Sequence, residues 1–157
     1  METSAAHLKT SQESVEIWFQ IQKDDEGYPK SQDWEELWAL PIEGGAFEIQ
    51  SVPFFLKEIA SGDVVSAART SEGWYRFDRI ISRSGNSNFR IWLHERTETE
   101  RERIIHDLEG LGCRVEVTME RLIAMDVSPD RENRVWAYLD AGQRSGEWGL
   151  QIGWSPD

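Results

Sequence analysis

Residues 88–117, NFRIWLHERTETERERIIHDLEGLGCRVEV, predict a strand, a helix and a second strand in succession. Every second residue over 89–93 is apolar, which is the two-residue period of a strand with one buried face. Over 97–111 the apolar residues recur at helical spacing, with acidic residues in the first turns and Gly112 directly after the end. Alternation returns over 113–118, so the chain enters a strand again.

The stretch that follows repeats the same elements. Residues 122–127 are typical of a buried strand, and Ser128-Pro129 has the chemistry of a helix start, with Ser128 as the N-cap. We expect this helix to end at Gly146 and a last strand to run over 148–152. The order strand–helix–strand–strand–helix–strand is that of a ferredoxin-like βαββαβ unit, which we place over 88–157.

The first half of the chain contains short apolar stretches separated by turn residues at intervals of about 8–12 residues, a spacing typical of small β-barrels. We therefore predict a small antiparallel β-barrel or curled sheet over 14–87, and an α+β fold for the whole chain. Residues 1–13 are polar and lack an apolar period, so we expect a disordered leader there. The predicted strands of this unit lie over 15–21, 36–42, 46–49, 64–68 and 74–81.

One stretch of this half fits two structures. The apolar spacing over 34–38 suits a helix, whereas residues 36–42 suit a strand with Leu37 and Ala39 on one face. We favour the strand because Gly44-Gly45 directly afterwards is a hairpin signal.

The composition limits the classes of partner. The 157 residues include 17 basic and 29 acidic ones, a formal net charge of −12. Nucleic acids and anionic membranes both require clustered positive charge, so we expect neither as a partner. The first residues lack the basic start and apolar stretch of a secretory signal, and Cys113 has no second cysteine to pair with. We therefore expect a cytoplasmic protein.

The motifs of catalytic and metal sites are missing from the sequence. His7, His94 and His106 have no metal-ligand spacing, and Cys113 suits a buried, inert thiol. We find no glycine-rich phosphate loop and no serine nucleophile elbow. We expect no metal, no cofactor and no enzyme activity, although sequence spacing leaves open whether acidic side chains converge in a pocket.

Acidic and aromatic residues crowd together early in the chain. Residues 24–48 contain eight acidic residues against the single base Lys30, and Tyr28, Trp34 and Trp38 lie among them. Large rings that bury area beside charges that steer encounter are typical of a protein-binding surface. The alternative is that Trp34 and Trp38 belong to the core and that the acids only keep an edge soluble. The candidate contact residues are Asp24, Asp25, Glu26, Tyr28, Asp33, Trp34, Glu35 and Glu36.

The stretch VPFFLKEIASGDVV at 52–65 resembles the core of the bacterial family DUF4265, whose function is unknown. The resemblance covers about residues 14–150 and implies a compact bacterial cytoplasmic domain without established catalytic residues. Within this stretch we expect Gly62 to adopt a positive φ and Asp63 to cap the turn with its carboxylate. Further matching motifs lie at 25–29, 36–39, 82–87, 111–113 and 146–148.

The sequence favours a non-catalytic binding protein. Strong acidity, small size and an aromatic-acidic segment suit an immunity or antitoxin-like protein that covers a basic bacterial toxin domain. The alternative is a small-molecule sensing or regulatory domain, because ferredoxin-like units often bind ligands on the sheet.

Overall fold

The computed structural model describes residues 13–94, 97–119 and 121–156, which form an α+β fold. Nearly all of the predicted leader lies outside these residues. Nine strands and two α-helices are present in the described part of the chain. They are β1 (Val15–Gln20), β2 (Trp34–Ile42), β3 (Ala46–Ile49), β4 (Val64–Arg69), β5 (Tyr75–Ser82), β6 (Ser87–Leu93), α1 (Glu98–Gly110), β7 (Arg114–Thr118), β8 (Leu122–Val127), α2 (Glu132–Ser145) and β9 (Trp148–Trp154).

The first five strands form a closed barrel in the order β1-β2-β3-β4-β5. Consecutive strands pair antiparallel, whereas β5 returns to β1 in parallel, with Ile17 opposite Tyr75 and Trp18 opposite Arg76. The prediction of a purely antiparallel barrel is therefore wrong at this pair. The reason is the odd number of strands: if each strand reverses the direction of the one before, the fifth runs the same way as the first.

Alternation along β1 and β2 decides which side chains enter the barrel. Ile17, Phe19, Leu37 and Ala39 are buried, and the residues between them face outward. Phe19 stacks on Phe77 of the neighbouring strand β5, with ring centroids 4.6 Å apart. Each fully buried side chain of this kind contributes about 1.5–3 kcal/mol, so the interior stabilises the barrel.

The last four strands form an antiparallel sheet in the order β7-β8-β6-β9, covered on one face by α1 and α2. Phe89 and Ile91 of β6 point into the core beneath the helices. Leu108 of α1 and Leu139 of α2 meet them there. The sheet has a second core of its own, separate from the interior of the barrel.

Both helices end close to their predicted limits. Thr97 caps α1, its hydroxyl accepting the N–H of Glu100 at 3.2 Å, and Gly146 ends α2 with φ +84°. A 3-10 turn, Pro129–Arg131, precedes α2, and the Ser128 hydroxyl bonds to the Asp130 carboxylate instead of capping the helix. In the described part of the chain, neither helix has the length and apolar character needed to cross a membrane.

The segment between β3 and β4 joins the two units. The carbonyl of Pro53 accepts a hydrogen bond from Asn88 of β6, and the N–H of Glu58 donates to Gly153 of β9. Gly62 has φ +87°, as predicted, and the buried Asp63 carboxylate accepts the N–H of Ala60 at 3.0 Å. The expected turn capping is therefore confirmed.

Candidate functional site

The outer face of β1 and β2 alternates tryptophan with glutamate. The register places Glu16 opposite Trp38 and Trp18 opposite Glu36, so each carboxylate has an indole as its cross-strand neighbour. Trp34 continues the same face at the start of β2, opposite Gln20. Glu16 and Glu36 are exposed, and Trp38 is 51% exposed. We call this surface, formed by Glu16, Trp18, Trp34, Glu36, Trp38 and Trp74, the Trp–Glu face.

Three indoles of this face surround an open cleft. The ring of Trp74 lies 5.7 Å from that of Trp18 and 6.3 Å from that of Trp34, centroid to centroid. Together the three rings line a cavity of about 370 Å³. Trp74 joins the other two because β5 closes the barrel beside β1. Its indole N–H donates to the Glu72 carboxylate at 3.0 Å. This hydrogen bond lies in the plane of the ring and does not cover the ring face.

The cleft has the chemistry of a site for cations. The guanidinium of Arg76 already lies 5.3 Å from the centre of the Trp34 ring, within the range of a cation–π interaction. Negative charge from Glu36, on the same face as the rings, adds to the attraction for a cation. A basic side chain of a partner would meet both flat indoles and carboxylates here.

The loop that connects β1 and β2 carries the other predicted contacts. Asp25, Glu26 and Tyr28 are exposed. The carboxylate of Asp24 accepts the N–H groups of Glu26 and Tyr28 at 2.9 and 2.8 Å, so this residue shapes the loop. The loop joins the Trp–Glu face where Gln20 pairs with Trp34.

Asp33, also a predicted contact, has a partner within the chain. Its carboxylate lies 3.0 Å from the ammonium of Lys23, and 75% of its side chain is exposed. An exposed pair of this kind contributes little to stability, so Asp33 remains available to a partner.

Glu35 does not lie on the Trp–Glu face, and its selection as a candidate contact is corrected. It points inward, is 9% exposed, and its carboxylate accepts the N–H groups of Phe54, Phe55 and Leu56 at 2.7–3.0 Å. Burial raises the pKa of this carboxyl above its ordinary value, while the three backbone bonds and Arg90 act in the opposite direction. Glu35 therefore holds the segment 54–56 against β2.

The predicted contacts include only two of the six residues of the Trp–Glu face, Trp34 and Glu36. Glu16, Trp18 and Trp74 lie outside the acidic stretch 24–48, and Trp38 lies inside it without being among the predicted contacts. The alternation of β2 carried the signal for Trp38, since residues of equal parity share one side of a strand. The place of Trp74 depends on the parallel pairing of β5, for which the sequence has no signal.

A second site lies where the barrel meets the open face of the sheet. Arg90 of β6 is 1% exposed and borders a cavity of about 380 Å³. Burial lowers the pKa of its guanidinium to about 10, against the opposing effect of Glu35, so Arg90 is charged at neutral pH. The cavity walls come from both units of the protein. They include Tyr28, Phe54, Phe55, Lys57, Trp92, Gly149 and Gln151.

The described ranges contain neither a cluster of metal ligands nor an ionised thiol. Over 13–94, 97–119 and 121–156, no three His, Cys, Asp or Glu side chains are grouped in a way that holds a metal ion. Cys113 is buried, and desolvation raises the pKa of its thiol to about 12, with Asp126 contributing in the same direction. The thiol is therefore protonated at neutral pH.

The geometry defines the chain as an α+β protein in which a closed five-stranded barrel meets a helix-covered antiparallel sheet. It belongs to the family described as "Domain of unknown function (DUF4265)", whose model matches residues 35–150. This match confirms the resemblance noted from the sequence.

A solved structure shares the fold. It is described as "Novel crystal structure of a hypothetical protein from Neisseria gonorrhoeae" and superposes with a TM-score of 0.73 at 17% sequence identity. The superposition covers 90% of this chain and 94% of the other. At this identity the likeness concerns the fold alone. No curated protein matches the sequence at a significant level.

Proposed function

We propose that this protein is a non-catalytic acidic binding protein that holds a basic protein partner on its Trp–Glu face. The observation that carries the proposal is the register of β1 and β2, which alternates the exposed Trp38 and the half-buried Trp18 with exposed carboxylates. Buried surfaces of the protein explain none of these side chains, because the face points away from both cores.

The physical roles on this face are divided between rings and charges. Tryptophan is the residue type most often found at the energetic centre of protein interfaces, where its ring is desolvated on binding. Negative charge speeds the encounter with a positive partner and disfavours acidic ones. The net charge of −12 extends the same field over the whole molecule.

In its specific form, the proposal is an immunity or antitoxin-like inhibitor of a basic bacterial toxin domain. Such an inhibitor acts by covering the positive surface that the toxin uses, and this requires no chemistry of its own. We place this activity in the cytoplasm. We propose neither a nucleic acid nor a membrane as a partner, because the negative charge of the protein would repel both.

The test compares two charge-matched double variants. Glu16→Gln with Glu36→Gln removes two charges from the Trp–Glu face, and Glu102→Gln with Glu109→Gln removes two exposed charges from α1. Tagged protein is used to capture partners from cells of the source bacterium, and the captured protein is then purified and titrated. We expect a basic partner that binds the face variant at least tenfold more weakly and the α1 variant as tightly as wild type.

Toxin inhibition is tested by co-expression. The captured protein should be toxic when produced alone and harmless beside the wild-type chain, and the face variant should restore toxicity. Capture of only acidic or neutral proteins, or equal binding by both double variants, would contradict the proposal.

A second function, the sensing of a small regulatory molecule, is favoured by the cavity beside Arg90. A concave, largely apolar site with one buried charged group is typical of ligand pockets. A thermal-shift screen of metabolites separates this function from the first, because a small ligand raises the melting temperature without any protein partner.

For the C-terminal unit we propose a ferredoxin-like arrangement. The strand order β7-β8-β6-β9, the antiparallel pairs and the two helices on one face support it. In this arrangement the face opposite the helices is free to build a site, and here it is the face that carries Arg90.

A further inference from the structure

We propose that the cleft between Trp18, Trp34 and Trp74 binds the quaternary ammonium group of a trimethylated lysine on the protein partner. The inference rests on the proposed binding function and names the chemical group that the Trp–Glu face recognises. Ring faces would hold this cation, which has no N–H donors of its own.

The three indoles stand at steep angles to one another and form the walls of the cleft. The plane of Trp74 makes an angle of 58° with that of Trp18 and of 83° with that of Trp34. Trp74 directly precedes β5, and the parallel pairing of β5 with β1 brings it beside Trp18. All three rings border the same cavity of about 370 Å³, so each presents part of its surface to a bound group.

The chemistry of the walls selects among cations. Among the described residues, the three tryptophans alone line the cleft, and an indole side chain has one donor and no acceptor. A primary ammonium that entered would lose hydrogen bonds to water without replacement, which is costly. A trimethylammonium group has no N–H to satisfy, and its methyl groups carry positive charge directly to the ring faces. The cleft therefore favours the methylated form of a lysine over the unmethylated one.

The charges around the cleft favour a cation. Glu36 lies opposite Trp18, Glu16 lies on the same face, and Glu72 accepts the indole N–H of Trp74. The ionisable side chains beside the rings and their neighbours on β4 and β5 are Glu16, Glu36, Glu72 and Asp78, which are negative, and Arg69 and Arg76, which are positive. Four negative and two positive charges give a net charge of −2, which attracts a cation. The ion pair of Lys23 with Asp33, next to Trp34, adds no net charge.

Arg76 tests the preference from within the protein. It lies opposite Trp18, and its guanidinium is 5.3 Å from the centre of the Trp34 ring, yet it is not one of the residues that line the cleft. The Trp34 ring thus already accepts one cation, whose charge opposes the binding of a second. Removal of this charge should strengthen the binding of a cation and leave the binding of a neutral group unchanged.

The first test compares three small probes. They are Nα-acetyl-Nε-trimethyllysine amide, the same compound without the three methyl groups, and an uncharged isostere in which a tert-butyl group replaces the trimethylammonium group. Binding is followed by tryptophan fluorescence and by the indole N–H resonances of the protein. We expect saturable binding of the trimethyllysine probe, at least tenfold tighter than that of the other two. Equal binding of the unmethylated probe or of the isostere would overturn the inference.

Variants of the walls locate the binding. Trp74→Leu removes one wall and should weaken binding of the trimethyllysine probe at least tenfold. Trp38→Leu is the matched control, because Trp38 is exposed on the same face and does not line the cleft. Equal affinity of wild type and Trp74→Leu for the probe would overturn the site.

Because Trp74→Leu also removes ring contacts within the protein, two charge variants keep the test independent of folding. Glu72→Gln retains an acceptor for the Trp74 indole and removes a negative charge, and Arg76→Gln removes the opposing positive charge. The trimethyllysine probe should bind the first variant more weakly and the second more tightly, by about twofold or more in each case. The isostere should bind both variants as it binds wild type. Affinities of the trimethyllysine probe that do not shift in opposite directions would contradict a cation site.

The captured basic partner tests the source of the cation. Mass spectrometry should find a trimethylated lysine in this partner, and replacement of that lysine by glutamine should weaken its binding at least tenfold. A partner that binds through the Trp–Glu face without a methylated lysine would overturn the inference and leave the proposed function in place. Binding of the trimethyllysine probe without any basic protein partner would overturn the proposed function, and with it the partner's lysine as the source.

Discussion

Glu35 and Glu36 are adjacent on β2, yet they lie in two different regions of the molecule. Glu35 is buried between the barrel and the segment 54–56, where three backbone N–H groups hold its carboxylate. Glu36 is exposed on the Trp–Glu face, opposite Trp18. A glutamate on the inner side of β2 therefore stabilises the fold, whereas a glutamate on the outer side remains exposed to solvent.

The largest expected difference in stability between the protein interior and the Trp–Glu face is that between two tryptophan variants. Trp148 is 2% exposed in the sheet core and donates to the Leu139 carbonyl, whereas Trp38 is half exposed. Trp148→Ala should destabilise the protein by about 3–5 kcal/mol, and Trp38→Ala by less than about 1 kcal/mol. Urea unfolding of both variants measures this difference. Equal losses would show that Trp38 is part of a core and would remove it from the binding surface.

The two glutamates give the next largest contrast. Glu35→Ala removes the acceptor of three backbone N–H groups and the negative charge near the buried Arg90. We therefore expect the free energy of unfolding to fall by about 2–4 kcal/mol. Glu36→Ala should change stability by no more than about 0.5 kcal/mol. Chemical denaturation at pH 7 gives both values, and a large effect of Glu36→Ala would break the comparison.

A pH-dependent contrast comes from Asp126 of β8. Burial raises its pKa from the ordinary 3.8 to about 6, and Asp63 adds to the rise against the effects of Arg114 and Asn86. Because the folded state binds the proton more tightly than the unfolded chain, stability falls as pH rises from about 4 to about 6. Asp126→Asn should stabilise the protein by about 1 kcal/mol at pH 8, after allowance for solvent screening, and have little effect at pH 4. Thermal unfolding across this range measures the effect, and equal gains at both pH values would contradict it.

The smallest effect concerns the field at the exposed indoles. With each ion scaled to its quenching of free N-acetyltryptophanamide, caesium should quench the tryptophan fluorescence of the protein more than iodide does, since the carboxylates beside the indoles attract cations. The double variant Glu16→Gln with Glu36→Gln should reduce the difference between quenching by caesium and quenching by iodide. The α1 double variant should leave this difference unchanged. Stronger quenching by iodide on the same scale would show that the face is not electronegative.

Much of the fold follows from periodicity. The strands, the two helices and the turn at Gly62 were predicted from alternation, helical spacing and turn chemistry. The parallel contact of β5 with β1 was not, because barrel closure depends on pairing between distant strands. The strand favoured over 36–42 is confirmed, and β2 extends it back to Trp34.

Periodicity also predicts part of the candidate sites, and pairing between distant elements decides the rest. The period of β2 already placed Glu35 on the side of Leu37 and Ala39, and following it would have assigned this residue to the interior. The Arg90 cavity was beyond prediction, since it exists only where the barrel covers the polar face of β6. A strand pattern shows which residues share a face and is silent about what covers that face.

The most direct measurement of the central claim is the affinity of the captured basic partner for three forms of the protein at low and high salt. Wild type and the α1 double variant should bind with equal affinity and lose affinity as salt increases. The face double variant should bind at least tenfold more weakly at low salt and depend less on salt. Equal affinities and equal salt dependence in all three forms would contradict the account.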